Sequence, residues 1–416
     1  MAITAFGDTD YSALFKRLYG EYADNMYGSG IEDPLESQIP KKFDFIGAEM
    51  HFPVKIGFGG GVSFGSLGTA NRSKNVDVVL TRKAAYARLN LDRETIVASR
   101  GKAGAFKEAT QEETVGKIRS FTRTQAAHLF NDGTGILGQQ SGNAGGTAAA
   151  PTLTILNTGT YRFRQGFFEE GDYVNVRTSG VTLLTSVWEI TDVNTSTRVV
   201  TLARRLGSDD LTTVGGGTHD VILQNALSAA PSGLMSAANL DSGTLYSVTF
   251  GRRWSPYQDE LATASLITVD LLNKAVLQMD QRAGEPPNLI VFAVKQMELF
   301  LNQLEDKKRY NSGELKSKSN KLSSMADVSF STIEYMGPRG VIPIVSSRYV
   351  RDDTIYLVNT NKMFRAHAEK FGWFDEDRTV LLRLQDEDAY EARYGGYYEN
   401  YFNPLHVGKI DNLATS

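Results

Sequence analysis

The sequence predicts an α+β protein into which a small all-β domain is inserted. Three observations lead to this prediction. Apolar and polar residues alternate over 48–56 with the period of a strand, whereas apolar residues over 115–129 recur at the three- and four-residue steps of a helix. From about residue 150 the chain changes to short β-branched segments, and after Ser232 helix and strand patterns alternate.

The composition is that of a globular protein. The 416 residues are 41% hydrophobic and 22% charged, and cysteine is absent, which excludes disulfides, thiolate metal sites and a cysteine nucleophile. The net charge of −4 argues against tight binding of nucleic acid. The sequence has no signal-peptide pattern and no apolar run of about 18 residues, so we expect a protein that is neither exported nor membrane-spanning.

The first part of the chain indicates an arm with one amphipathic helix. Thr9 is the candidate N-cap, and the apolar face consists of Leu14, Phe15, Leu18, Tyr19 and Tyr22. Residues 28–42 then read as an extended segment.

Residues 48–99 predict a long two-stranded hairpin. Its dry face supplies the candidate assembly contacts, which are Phe52, Val54, Ile56, Val76 and Val78. The tip, residues 57–75, is far longer than the usual hairpin loop of about two to five residues. Because an isolated two-stranded ribbon is only marginally stable in water, we expect this one to lie on a neighbouring copy of the chain.

A long one-faced helix follows the hairpin. A capping box at 110–113 marks its predicted start, and Gly133 marks its end. Residues 133–150 are rich in Gly, Ala, Gln and Asn, which is typical of a linker. Short strands at 171–177, 187–190 and 198–202 then predict the inserted β domain.

After Ser232 the pattern predicts an α/β unit and then a strand-rich end. A helix with Val269 and Met279 on its apolar face stops at Gly284, and a second helix runs from Met297 to Leu304. The predicted strands are 289–293, 328–335, 341–345, 354–359, 379–384 and 390–402.

Two motifs suggest chemistry. Residues 61–65 match the G-x-S-x-G nucleophile elbow around Ser63, but that elbow needs a helix after the serine, and 66–72 have no helical period. A flexible loop tip is the favoured interpretation.

The basic cluster consists of Lys307, Lys308 and Arg309 and has few aromatic residues between its charges. This pattern is more typical of an exposed loop than of a surface that binds nucleic acid. We include the cluster among the candidate assembly contacts.

No cofactor or metal is expected. The histidines are scattered without metal-ligand spacing, at positions 51, 128, 219, 367 and 406. The acidic runs at 375–377 and 386–388 lack the glycine and spacing of a calcium loop, and no Gly-Lys-Ser/Thr phosphate loop occurs.

This order of parts resembles the major capsid proteins of tailed bacteriophages, with their HK-ninety-seven-like fold. The likeness includes the ending at 388–413, where Pro404 is followed by Gly408 and Ile410. The resemblance implies the following division: 1–47 N-terminal arm, 48–100 extended loop, 101–149 spine helix and start of the peripheral domain, 150–231 inserted β domain, 232–360 axial domain, and 361–416 return to the peripheral domain. The inserted domain is absent from the minimal fold.

The resemblance implies a non-enzymatic protein of the virion, assembled in the host cytoplasm. Copies would form hexamers and pentamers of an icosahedral head that encloses double-stranded DNA without binding it specifically. The implied partners are further copies, a separate scaffolding protein, a portal and a decoration protein, with no membrane. The inserted domain would decorate the outer surface or brace neighbours.

Three alternatives remain open from the sequence. An encapsulin-type compartment has the same fold and holds a cargo enzyme instead of a genome. A serine hydrolase would use Ser63. A monomeric carbohydrate-binding protein would be built around the inserted domain.

Overall fold

The computed structural model describes residues 33–60, 62–92, 103–178, 182–215, 217–305, 333–337, 340–375, 380–384 and 388–415. The helix predicted around Thr9 lies outside these residues, as do the basic cluster Lys307, Lys308 and Arg309 and parts of two predicted strands, 328–332 and 379.

Five α-helices and twenty-four strands make up the described chain. The helices are α1 Pro34–Gln38, α2 Ala103–Leu129, α3 Leu234–Ala238, α4 Val269–Ala283 and α5 Val294–Glu305. The strands are β1 Lys41–Lys42, β2 Glu49–Gly57, β3 Lys74–Thr81, β4 Lys83–Asp92, β5 Ile136–Ser141, β6 Gly145–Gly146, β7 Pro151–Thr154, β8 Tyr173–Thr178, β9 Thr182–Leu183, β10 Val187–Asn194, β11 Val199–Leu206, β12 Thr218–Leu223, β13 Thr244–Leu245, β14 Val248–Thr249, β15 Tyr257–Ser265, β16 Leu289–Ala293, β17 Ile333–Gly337, β18 Gly340–Ser347, β19 Ile355–Val358, β20 Met363–His367, β21 Gly372–Trp373, β22 Leu382–Arg383, β23 Ala389–Phe402 and β24 Val407–Leu413.

A six-stranded sheet, here called the peripheral sheet, is organised around β23. Strands β4, β20, β21 and β22 all pair with β23, and β1 pairs with β20. The pairing of β4 with β23 extends over ten residue pairs, from Asp92 opposite Ala389 to Lys83 opposite Tyr398. The strand that follows the hairpin is therefore held by a strand near the C-terminal end of the sequence.

Helix α2 packs on one face of the peripheral sheet. The ring of Phe121 meets the rings of Phe371 and Tyr394 edge to face, at centroid distances of 5.2 and 5.3 Å. The helix begins at Ala103, so the prediction of a start at the 110–113 capping box is wrong. Residues 103–109 include three alanines, a lysine and a glutamate, which are strong helix formers and continue the helix in the N-terminal direction.

An eight-stranded sheet, here called the inserted sheet, has the order β5-β12-β8-β10-β11-β7-β6, with β9 paired to β8. The prediction of a linker over 133–150 is wrong, because β5 and β6 lie within it and β5 pairs with β12. Trp188 and Ile190 of this sheet share one core with Phe130 at the end of α2 and with Val291 of β16. The inserted sheet is thus packed into the rest of the molecule.

A second six-stranded sheet, the axial sheet, has the order β15-β24-β19-β16-β18-β17. Helices α4 and α5 cover one face, where Val276, Met279 and Phe300 pack against strand residues that include Ile290 and Ile410. Helix α4 ends at Gly284, as predicted, with the left-handed φ of 77° that glycine tolerates best.

The first described segment is fixed by buried polar contacts. Glu36 of α1 forms an ion pair with Arg365 of β20, and both side chains are buried. Arg365 Nε also donates to Asn400 Oδ1 at 2.9 Å. Breaking such a pair from one side leaves a buried charge uncompensated, so the contact anchors the segment that enters the hairpin.

Candidate assembly surfaces

The predicted hairpin is present over β2 and β3, but the prediction that its return strand continues beyond Thr81 is wrong, because β4 pairs with β23 of the peripheral sheet. The two strands pair antiparallel, with Phe52 opposite Val78 and Val54 opposite Val76. Its base packs on the chain's own body: the ring of Phe52 lies 5.6 Å from Phe364 and 5.0 Å from Tyr401. The base is therefore supported within one copy.

The five predicted contact residues of the hairpin have different surroundings. Val78 is fully buried in the chain's own core, so its side chain cannot meet a neighbour in this conformation. Phe52, Val54 and Val76 are half-buried against the same core, and Ile56 is half-buried further along β2. An assembly role for these four stays a prediction.

A small bracket, residues 240–254, supports the hairpin from the side. Leu240, Val248 and Trp254 pack in the same core as Val78. The Val79 N–H donates to the Tyr246 carbonyl at 3.1 Å. The bracket thus ties β3 to the body by packing and by a main-chain hydrogen bond.

The wet face of the hairpin carries a charged cluster. His51 Nδ1 lies 2.7 Å from Asp77 Oδ2, and His51 Nε2 lies 3.5 Å from Glu49 Oε2. The hydrogen bond to Asp77 raises the pKa of His51 above its usual value. All three side chains are exposed, so this cluster is screened by solvent.

The tip of the hairpin exposes large apolar side chains. Phe58, Val62, Phe64 and Leu67 are between 84% and 103% exposed. Contiguous exposed apolar patches are typical of partner-binding surfaces, and these four side chains lie within ten residues of one loop. The contacts predicted from the sequence lie on the strands and do not include these four residues. Two phenylalanines and a leucine in a glycine-rich loop would have indicated an exposed apolar tip.

The tip also holds Ser63, the residue of the hydrolase alternative. Its Oγ donates to the Ser66 carbonyl at 2.6 Å and accepts from the Gly68 N–H at 2.7 Å. No helix occurs between β2 and β3 in the described residues, so the strand-to-helix turn of a nucleophile elbow is not formed there. The hydroxyl stabilises a local turn instead.

The described part of the chain shows neither a metal site nor a membrane-spanning helix. No group of three or more His, Asp or Glu side chains there is arranged to hold a metal ion. Among the helices of the same residues, none is long and apolar enough to cross a membrane.

No family model matches the chain, and no curated protein sequence matches it. Solved structures do. A chain from the capsid asymmetric unit of cyanophage A-1(L) aligns over 92% of this chain and 93% of its own length, with a TM-score of 0.56 and 12% identity.

Two further phage chains align with lower scores. One from Gordonia phage Cozz covers 92% of this chain and 87% of its own length, with a TM-score of 0.44 and 12% identity. One from the capsid of Myoviridae phage XM1 covers 91% of each chain, with a TM-score of 0.41 and 8% identity. The fold assignment rests on the cyanophage chain: this protein has the fold of that capsid chain, and the predicted α+β, HK-ninety-seven-like fold is confirmed.

Proposed function

We propose that this chain is the main shell-forming protein of a tailed-phage head. Copies join into hexamers and pentamers, and these rings tile an icosahedral shell that encloses double-stranded DNA. A separate scaffolding protein, a portal and a decoration protein complete the particle. The role is structural and non-enzymatic.

The observation that carries the proposal is the exposed apolar tip on a fold shared with a phage capsid chain. Each large apolar side chain contributes about 1.5–3 kcal/mol when it is fully buried. Within one copy Phe58, Val62, Phe64 and Leu67 gain almost none of this. A neighbouring copy that covers the tip supplies the missing burial and removes a surface prone to aggregation.

The geometry also suits ring formation. The exposed tip stands on a base that the bracket fixes to the body. In the proposed shell the tip of one copy contacts a different surface of the next copy. Such heterologous contacts close into rings when the rotation between copies allows it. Because many contacts act together, each can be weak. The net charge of −4 is consistent with DNA that is enclosed without tight binding.

Electron microscopy of the purified chain, with and without a polar tip, tests the proposal. We expect rings or shells from the wild type. Phe58→Ser, Val62→Ser, Phe64→Ser and Leu67→Ser combined should leave the fold intact, because these side chains contact little, and should abolish shells. Leu183→Ser with Leu206→Ser, two exposed leucines of the inserted sheet, is the control and should still assemble.

Three outcomes would contradict the proposal. A wild type that stays monomeric at all concentrations excludes a shell protein. Native shells that hold a protein cargo and no DNA indicate a compartment of the encapsulin type. A polar-tip variant that assembles as well as the control removes the tip from the contact.

A further inference from the structure

The face of the peripheral sheet that points away from α2 carries exposed arginine and tyrosine side chains. Arg82, Tyr86 and Arg88 lie at alternate positions from the start of β4 onward and are all exposed. Arg393 and Tyr397 of β23 lie beside them. We call these five residues the arginine–tyrosine face.

The side chains of this face hold one another in place. Tyr86 OH donates to Tyr397 OH at 3.1 Å, and the Arg82 guanidinium lies 4.7 Å from the centre of the Tyr397 ring. The ring of Phe374 meets Tyr86 edge to face at 5.8 Å. Partial desolvation of the hydroxyl, together with the hydrogen bond to Tyr397, raises the pKa of Tyr86 to about 12.

The face has more positive than negative charge. Arg88 and Arg393 both pair with Glu391, at 2.7 and 2.5 Å. The Glu391 side chain is only 4% exposed, whereas the two arginines are 62% and 57% exposed. Because one carboxylate serves two guanidinium groups and Arg82 adds a third, the guanidinium edges turned to solvent remain available for a further anion.

We propose that the arginine–tyrosine face is an interface between copies of this chain, which receives an acidic surface of the next copy. The inference deepens the proposed function and rests on it. Three observations select this occupant. The first is charge, since each copy has a net charge of −4 and therefore carries more acidic than basic residues with which this basic face can pair.

The second observation is composition. Tyrosine and arginine are the residue types that most often dominate the binding energy of protein interfaces. The third is position, since β4 follows β3 directly across Arg82, which places the face next to the base of the hairpin whose tip contacts a neighbour in the proposed function. The mutual contacts already order these side chains, which lowers the entropy cost of binding.

Assembly of charge-reversal variants tests the inference. Arg82→Glu with Arg88→Glu should raise the concentration needed for assembly by about tenfold or more and should weaken its dependence on salt. Tyr86→Ala, which leaves every charge in place, should raise it in the same direction. Arg205→Glu is the matched control, because Arg205 is an exposed strand arginine paired with Glu189 on the inserted sheet, and it should assemble like the wild type.

The outcomes separate this inference from the proposed function. If the wild type forms shells and the face variants, folded by circular dichroism, form them equally well, the face is not an interface and only this inference fails. If those shells form but lose DNA, the face contacts nucleic acid and the inference is likewise overturned. If the wild type forms neither rings nor shells, the proposed function itself fails.

Discussion

Glu399 lies buried at the junction between β23 and the segment that leaves the inserted sheet. Its Oε1 accepts hydrogen bonds from the Ser232 N–H at 2.7 Å and from the Asn400 N–H at 3.0 Å. Burial, opposed in part by these hydrogen bonds, raises the pKa of Glu399 to about 7 from a usual value of 4.5. The folded chain therefore binds this proton more tightly than the unfolded chain does.

A raised carboxyl pKa has a definite effect on stability. Below about pH 4.5 the carboxyl is protonated in the folded and the unfolded chain, so its raised pKa has no effect on stability. As the pH rises from 4.5 to 7 the unfolded chain ionises first and the folded state loses stability. The loss reaches about 3 kcal/mol once the folded group is ionised as well. Glu399→Gln keeps an acceptor oxygen and removes this loss. We expect the variant to match the wild type near pH 4 and to unfold at higher urea concentration at pH 8.

Urea unfolding at both pH values measures the difference. Glu170→Gln makes the same change of charge at an exposed site and serves as the control. A Glu399→Gln protein that is less stable than the wild type at pH 8 would mean that the ionised carboxylate stabilises the fold.

At the scale of single residues, the sequence identified which side chains share a face but not what covers them. Alternation placed Phe52 and Val78 together on the dry side of the hairpin, and they are directly opposite in the structure. Alternation depends only on the chain's local period, whereas the covering partner, here Phe364 and Tyr401, comes from distant sequence. For this reason the prediction of an intermolecular contact included Val78, which packs inside the molecule, while an assembly role for the other four residues stays a prediction.

Among the elements, the bracket that supports the hairpin contains a strained turn. Tyr246 and Ser247 connect β13 and β14 with positive φ values of 52° and 64°, a conformation that non-glycine residues adopt at a cost of about 1–2 kcal/mol. Two hydrogen bonds compensate the strain at Tyr246: its OH donates to the Asn400 carbonyl at 2.9 Å, and its own carbonyl accepts from the Val79 N–H. The described side chain of Ser247 is exposed.

Replacing Ser247 by glycine should therefore relieve strain without disturbing the hairpin. The gain, reduced by the greater freedom of glycine in the unfolded chain, is roughly 0.5–1 kcal/mol in the free energy of unfolding. Ser242 is an exposed serine without positive φ, so Ser242→Gly relieves no strain. This variant should lose stability because glycine has more conformational freedom in the unfolded chain. Chemical denaturation measures both, and equal losses in the two variants would show that the Ser247 turn stores no strain.

The element predictions that failed have physical explanations. Residues 28–42 were predicted to be extended, but Pro34–Gln38 form α1, because the Asp33 side chain accepts from the Leu35 N–H as an N-cap and proline suits the first helical position. The capping box at 110–113 is a local signal, and good helix formers on its N-terminal side overrode it. Strand β5 was taken for a linker because it has glycine where a strand usually has a bulky residue. A Cβ at Gly138 would lie 2.8 Å from Ile155 Cγ2 and 2.9 Å from Phe168 Cζ, so this glycine reflects close packing and not a flexible chain.

For the whole molecule, the order of the main helices and strands was predictable because α4 has a helical period, β16 is a continuous apolar run and β23 alternates. The arrangement of strands in sheets was not, because β24 joins the axial sheet between β15 and β19, far from both in sequence. The division into six segments stays a prediction. The contact role of Lys307, Lys308 and Arg309 also stays a prediction, since they lie outside the described residues.

Strand β24 is an inner strand of the axial sheet, and its side chains contribute strongly to the free energy of unfolding. Val407, Ile410 and Leu413 are almost fully buried, and each contributes about 1.5–3 kcal/mol by burial alone. Their sum approaches the whole stability of an ordinary domain, about 5–15 kcal/mol. A chain that ends at His406 should therefore lose cooperative unfolding, whereas one that ends at Ala414 should keep it.

Thermal unfolding followed by circular dichroism distinguishes the two truncations. Ala414 is the suitable end point for the control because its N–H donates to the Ser265 carbonyl and its carbonyl accepts from Gln296. A sharp transition in the shorter chain would mean that the axial sheet holds together without its inner strand.

The position of β24 also determines when a newly made chain can complete its axial sheet. In the described chain β15 pairs with β24 alone, so its partner leaves the ribosome much later, after a delay on the order of ten seconds at ordinary rates of translation. Until then the nascent polypeptide has no finished axial sheet to offer. In the proposed shell, a chain that stalls before β24 therefore lacks a complete axial sheet, and we expect it to be left out of the growing particle.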